Sequence, residues 1–123
     1  MRRTVIASAL LFGLAGPAAA EEYALIHGNY CGFQKIVGPD GADLPPVDVL
    51  DAICMRHDYC YERRGVSDCS CDLDLMREVS NRRWADGRSI NLARVVFYGI
   101  AAKPCTDLNG QLRKIEFARQ AGM

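Results

Sequence analysis

The eight residues 54–61, CMRHDYCY, combine side chains that can carry out hydrolytic chemistry. His57 stands directly beside Asp58 and three residues from both Cys54 and Cys60. On a helix, residues three or four apart share a face, whereas adjacent residues diverge by about 100°. The imidazole and the carboxylate would therefore reach separate parts of one site, where the ring can act as a general base and the acid can bind a metal.

A second acid, Asp72, directly follows Cys71. If Cys71 is bridged to Cys60, Asp72 is brought close to His57, where a carboxylate can orient the ring and stabilise the imidazolium that forms on proton uptake. The same tether would place Asp72 near Tyr61. A structural histidine inside a stapled helix is the alternative interpretation, and the nearby acids favour catalysis over it.

The glycine-containing segment 28–32, GNYCG, can present backbone carbonyls to a hard cation and backbone N–H groups to a developing oxyanion. A bridge from Cys31 to Cys54 would hold this loop against the helix. One carboxylate with carbonyls and waters is an all-oxygen ligand set, which suits calcium better than zinc.

The six cysteines all follow the first twenty residues. An even number in a small exported chain indicates disulfides. The competing hypothesis is zinc bound by Cys54, His57, Cys60 and one further ligand, because thiolate and imidazole are its usual ligands. An oxidising compartment favours bridges over this zinc site.

Residues 1–20, MRRTVIASALLFGLAGPAAA, have the basic start, apolar run and small-residue end of an export signal cleaved near Ala20. The apolar run is too short to cross a bilayer. Two of the 15 basic residues, Arg2 and Arg3, lie in this segment, so residues 21–123 contain 13 basic and 15 acidic residues. That balance argues against a nucleic-acid-binding protein, and the length predicts one domain.

The apolar spacing predicts four helices. The first spans 47–64, with Asp48 as a candidate N-cap and Gly65 as its stop. The second spans 69–85, which would include Trp84, with Gly87 as a stop signal past its end. Because the connection between them is short, we expect them to be antiparallel neighbours. The segment 28–46 is rich in glycine and proline, which favours an ordered loop over regular structure.

The other two predicted helices span 90–103 and 107–120. The third is apolar on most faces, which indicates burial or an apolar channel. The fourth is amphipathic through Leu108, Leu112, Ile115 and Phe117, and nothing in it suggests a role in chemistry.

Three segments resemble the secreted phospholipase A2 family. PVDVLDAICMRHDYCY, residues 46–61, is similar to its active-site helix, NYCG at 29–32 to its calcium loop, and CSCD at 69–72 to the segment that carries its second catalytic aspartate. The resemblance covers residues 28–72, with the three motifs in the family's order.

This resemblance implies that His57 is the general base, that Asp72 supports it, and that Tyr61 hydrogen-bonds near Asp72. It also implies that the N–H of Gly32 helps to stabilise the oxyanion.

For the metal, the resemblance implies that Asp58 chelates Ca²⁺ with both oxygens, together with the backbone carbonyls of Tyr30, Gly32 and Gln34. It further implies two disulfides, and the third follows by elimination: Cys31–Cys54, Cys60–Cys71 and Cys69–Cys105.

The chain also departs from the family pattern. Ile53 replaces a frequent cysteine and Gln34 a glycine, residues 21–27 are too few for an N-terminal helix, and 61–68 leave no room for a β-hairpin. A compact helical variant is implied. Candidate walls for its lipid channel are Leu50, Ile53, Val95, Val96 and Phe97.

We therefore predict an all-α, disulfide-stapled domain at 21–123 with two central antiparallel helices and a calcium-binding loop. The implied protein is secreted or periplasmic, and it hydrolyses the sn-2 ester of glycerophospholipids. It would act as a peripheral monomer at a phospholipid membrane or micelle surface, with no nucleic-acid partner and no transmembrane segment. The alternatives are a non-catalytic phospholipase A2-like binding or toxin module and a zinc-stabilised interaction domain.

Overall fold

The computed structural model describes residues 25–123, so the predicted export signal at 1–20 lies outside the described part. The described chain is mostly helical, with a sheet of only two strands. In chain order the elements are β1 (Leu25–His27), β2 (Cys31–Gly32), α1 (Val49–Arg64), α2 (Cys69–Ser80), α3 (Gly87–Ala102) and α4 (Leu108–Ala121).

The helix α1 closely matches the predicted span 47–64. Asp48 is its N-cap, because its side chain accepts a hydrogen bond from the N–H of Asp51 at 2.9 Å. Gly65 ends the helix with φ of 111°, a conformation that side-chain-bearing residues rarely adopt. The predicted cap and stop are both confirmed.

The helix α2 ends at Ser80 and not at residue 85, so that prediction was wrong at its C-terminal end. Asn81 caps the helix, and Trp84 lies beyond it, where its indole N–H donates to the carbonyl of Val79 at 3.1 Å. Trp84 is therefore partly buried against the core from a loop, an arrangement that helical periodicity cannot distinguish from a further helical turn.

The helices α3 and α4 also begin at aspartate caps. Asp86 accepts from the N–H of Ser89 at 2.8 Å and Asp107 from that of Gly110 at 2.6 Å. Because Asp86 caps α3, Gly87 is its first residue rather than a stop signal for α2, and α3 begins three residues before the predicted position.

The three disulfides are Cys31–Cys54, Cys60–Cys71 and Cys69–Cys105, as expected. All six cysteines lie in the described residues 25–123, and none of them is free. The zinc hypothesis, which needed the thiolates of Cys54 and Cys60, was therefore wrong.

The helices α1 and α2 are antiparallel neighbours, because the Cys60–Cys71 bridge joins them near the turn and Arg56 pairs with Glu78 farther away. Their packing buries the core against α3, where Phe97 is fully buried. The small sheet pairs Leu25 with Gly32, so β2 is a short strand inside the segment 28–46 that was predicted to be an ordered loop. Within residues 25–123, no helix has the length and apolarity needed to cross a bilayer.

Candidate active site

The predicted histidine and its predicted support meet in the interior between α1 and α2. His57 Nε2 lies 2.8 Å from Oδ1 of Asp72, with the His57 side chain 7% exposed and the Asp72 side chain 0% exposed. The hydroxyl of Tyr61, one turn after His57, donates to the same Oδ1 atom. The Cys60–Cys71 bridge holds this arrangement together, because Cys60 directly precedes Tyr61 and Cys71 directly precedes Asp72.

The surroundings of Asp72 determine which ring nitrogen of His57 carries the proton. Burial alone would raise the pKa of Asp72, but hydrogen bonds from His57, Lys114 and Tyr61, with the charge of Lys114, outweigh it and hold that pKa below its ordinary value. Asp72 is therefore ionised near neutrality and can only accept hydrogen bonds. Neutral His57 must then carry its proton on Nε2, which leaves the lone pair on Nδ1 to act as a base.

Tyr61 is itself held in place from a third element. Lys103, at the end of α3, donates to the Tyr61 hydroxyl at 3.0 Å, and its ammonium lies 4.6 Å from the centre of the Tyr61 ring. Burial and the neighbouring Asp72 carboxylate raise the pKa of Tyr61, so the hydroxyl stays protonated and remains a donor.

The loop predicted to present carbonyls is anchored by Asp51, which lies in the first turn of α1. Asp51 is fully buried, and its carboxylate accepts from the N–H groups of Asn29 at 2.9 Å, Tyr30 at 2.8 Å and Val47 at 3.0 Å. Gly28 makes this approach possible, because a Cβ there would lie 2.3 Å from the Asp51 carboxyl carbon and its φ is 60°.

The same loop is attached to the face of α1 that carries Asp58. Residues 54, 58 and 62 share this face. Cys31 is bridged to Cys54, and Lys35 donates to Glu62 at 3.3 Å, so the loop is attached to α1 one turn before and one turn after Asp58.

The predicted carbonyl ligands occupy different surroundings in this loop. Tyr30 is buried and its hydroxyl donates to the carbonyl of Leu44 at 2.5 Å. Gly32 lies in β2, and Gln34 lies at an exposed bend. The N–H of Ile36 donates to the carbonyl of Asn29 at 2.7 Å and closes the loop.

The state of Asp58 fits a cation at this point. Asp58 is half-buried, and no hydrogen bond joins its side chain to any residue in the described part of the chain. Burial raises the pKa of Asp58 to about 6, and the charges of His57 and Lys35 oppose that shift. Lys35 is itself held by Asp43 at 2.8 Å and by Glu62. A half-buried carboxylate on the helix face to which the loop is attached has the oxygen chemistry that Ca²⁺ prefers.

The cavities do not follow the predicted channel walls. His57 and Ile53 line a cavity of about 200 Å³ whose rim includes the Arg56–Glu78 ion pair. Leu50 lines a separate, more apolar cavity of about 230 Å³ that contains neither His57 nor Asp72. Of the other candidate wall residues, Val96 and Phe97 are packed in the core, and Val95 is 53% exposed.

One member of the cluster around Asp72 was missed from the sequence. Lys114 of α4, the helix expected to have no chemical role, donates to Oδ2 of Asp72 at 2.6 Å. The predicted apolar set of α4 is divided: Leu108 is 74% exposed, Leu112 54% and Ile115 52%, whereas Phe117 packs against the core. The side that packs inward also carries Gly110 and Lys114. The sequence offered one weak signal for the buried position of Lys114, namely that it follows Gly110 by one helical turn.

Comparisons with known proteins point in one direction. Two proteins of Arabidopsis thaliana are similar to this chain: phospholipase A2-gamma is 37% identical over 54 residues, which are 44% of this chain and 27% of the relative. Phospholipase A2-beta is 37% identical over 65 residues, which are 53% of this chain and 42% of the relative. The chain thus spans less than half the length of these curated relatives. No family model matches it, and no solved structure matches it significantly. About half of the chain is therefore similar in sequence to plant phospholipases A2.

Proposed function

We propose that this protein is a secreted, calcium-dependent phospholipase A2 that cleaves the sn-2 ester of glycerophospholipids to a fatty acid and a lysophospholipid. The observation that carries the proposal is the buried contact between His57 Nε2 and Asp72 Oδ1 in a segment with the phospholipase A2 motif order. The similarity to the two plant phospholipases A2 supports the same class of chemistry.

In the proposed reaction, Nδ1 of His57 removes a proton from a water molecule as the water oxygen attacks the ester carbonyl. The ring becomes an imidazolium, and the ionised Asp72 stabilises its charge while holding Nε2. When the tetrahedral intermediate collapses, the imidazolium returns the proton to the departing lysophospholipid oxygen. His57 is then neutral again, and the second product is the fatty acid.

Asp58 and the carbonyls of Tyr30, Gly32 and Gln34 would hold the calcium ion. When bound, calcium would supply positive charge to the lipid phosphate and to the oxyanion. The N–H of Gly32 would donate to the same oxyanion. Asp51 keeps the loop backbone in place through its three hydrogen bonds, so the chain supplies a rigid ligand frame before lipid arrives.

The substrate would be reached at the surface of a phospholipid membrane or micelle, where the protein would bind peripherally as a monomer. The four residues whose side chains are assigned to the site, His57, Asp58, Tyr61 and Asp72, come from α1 and α2, so the cross-linked pair of helices acts as the rigid part of the site.

The test is release of a labelled fatty acid from the sn-2 position of a phospholipid, presented as vesicles and as mixed micelles. We expect release by the unaltered protein with calcium and none with a chelator. His57→Gln removes the base and Asp58→Asn removes the metal-binding charge, so both should abolish release.

His27→Gln is the matched control. His27 also pairs with an aspartate, Asp48 at 2.6 Å, but it lines the cavity that contains Leu50 and does not include Asp72. This variant should retain activity. Release that persists in His57→Gln would refute the assigned base. No release from any lipid presentation would favour a non-catalytic binding module.

A further inference from the structure

The most deeply buried cation in the described chain lies outside the motifs considered so far. The side chain of Lys114 is 0% exposed, and its ammonium donates to Oδ2 of Asp72 and to the backbone carbonyl of Lys103, both at 2.6 Å. A fully buried lysine is uncommon because burial removes the hydration of its charge. Its partner here is the same carboxylate that contacts His57.

The two oxygens of Asp72 have separate partners. Oδ1 accepts from His57 and from Tyr61, whereas Oδ2 accepts from Lys114. A carboxylate held only through Oδ1 can still rotate about its side-chain bonds. The bond to Oδ2 from a different helix removes that freedom and holds the carboxylate plane in the orientation that faces the ring.

The fold provides a specific route for Lys114 to reach this point. Gly110, one turn earlier on α4, lies so close to Cys69 that an added Cβ would be 2.4 Å from both its Cβ and its Sγ. The Cys69–Cys105 bridge ties the segment before α4 to the start of α2, three residues from Asp72. Close helix approach at Gly110 therefore brings Lys114 within reach of Asp72.

We propose that Lys114 is a positioning residue that acts through Asp72, holding its carboxylate so that Oδ1 keeps Nε2 of His57 protonated and the ring correctly oriented. This inference rests on the proposed function for its catalytic consequence, but its structural part can be measured without any substrate. Lys114 does not touch the reacting atoms in this scheme.

The kinetic test compares Lys114→Met with the unaltered protein and with Arg113→Met, which removes a charge from an exposed neighbour on the same helix. We expect Lys114→Met to lower kcat by roughly ten- to a hundred-fold, as for other small errors in the position of a catalytic group, and to change KM little. Arg113→Met should leave both constants unchanged. Lys114→Gln keeps a neutral donor and should lie between Lys114→Met and the unaltered protein.

A double-variant cycle separates positioning from a general loss of structure. If Lys114 acts through Asp72, Lys114→Met should reduce kcat no further once Asp72→Asn is present. An equal loss in both backgrounds would overturn the proposal. If the single Lys114 variants do not fold, the double variant, which retains neither buried charge, is compared directly with Asp72→Asn. A lower kcat in the double variant than in Asp72→Asn would then overturn the proposal.

The substrate-independent measurement is the ring ¹⁵N spectrum of His57 at about pH 8, where an ordinary histidine is neutral. The unaltered protein should show one tautomer, protonated at Nε2, and Lys114→Met should show a mixture of tautomers. An unchanged spectrum would refute the proposal. If the unaltered protein releases no fatty acid, the proposed function fails, and this spectrum still decides whether Lys114 positions Asp72 and the ring.

Discussion

Replacing Gly110 by alanine should destabilise this protein, although alanine is the better helix former. Gly110 is in the first turn of α4, and its N–H is already satisfied by Asp107. An added Cβ would lie 2.4 Å from both Cβ and Sγ of Cys69, far inside an ordinary carbon contact. Because Cys69 is held in a disulfide, it cannot rotate away, so α4 itself must move.

The magnitude follows from two opposing terms. Alanine gains at most about 1 kcal/mol of helix propensity over glycine. Forcing an extra carbon into a packed contact costs about 1–3 kcal/mol, and the rigid disulfide places this case at the upper end. We expect a net loss of about 1–2 kcal/mol, which in a domain of this size lowers Tm by roughly 5–15 °C.

Gly99→Ala is the matched control. Gly99 lies on an exposed face of α3, and apart from the adjacent residues and the local helix backbone no heavy atom would lie within 4 Å of an added Cβ. That variant should be as stable as the unaltered protein or more stable by up to about 1 kcal/mol. Urea unfolding measures both free energies, and a thiol count under denaturing conditions verifies that the disulfides are intact.

The activity of Gly110→Ala provides a second readout. Movement of α4 shifts Lys114, one turn later, away from Asp72, so fatty-acid release should fall by more than the unfolded fraction accounts for. The reasoning is refuted if Gly110→Ala has the stability of Gly99→Ala with all three disulfides formed, because the close contact with Cys69 would then not constrain α4.

Two further predictions concern the loop and its acids. Asp51→Asn leaves one acceptor oxygen for three backbone donors, so we expect a loss of about 3 kcal/mol or more in unfolding free energy and weaker calcium binding by calorimetry. The exposed Asp74→Asn is its control, and equal losses in the two variants would contradict the anchoring role. The second prediction concerns Asp58 in the presence of a chelator. Its pKa of about 6 in the folded protein exceeds the unfolded value of 3.8, so the folded protein binds the proton more tightly and its stability should fall as the pH rises between these values. Because solvent partly screens the site, we expect the free energy of unfolding in urea to fall by about 1–2 kcal/mol between about pH 4 and pH 6. The fall should be absent from Asp58→Asn, and its persistence there would assign it to another group.

The predicted contact between His57 and Asp72 depended on a pairing of cysteines, and the structure forms that pairing. The helices were predictable because their signals are local: apolar spacing marks α1 to α4, and an aspartate caps each N-terminus. The end of α2 was less predictable, because Trp84 continues the apolar spacing after the backbone has left the helix. The roles of the site residues and the calcium ligands stay predictions.

The sequence by itself determined the helical segments and the motif that places an imidazole beside an acid, because spacing and capping act over a few residues. Only the tertiary structure decided which face of α4 turns inward. The side with Leu108 and Leu112 remains exposed, and the side with Gly110, Lys114 and Phe117 packs inward. The physical reason is that a disulfide, a close glycine contact, a buried charge pair and the packing of Phe117 against Phe97 join residues far apart in the chain, and the spacing within one helix does not reveal these contacts.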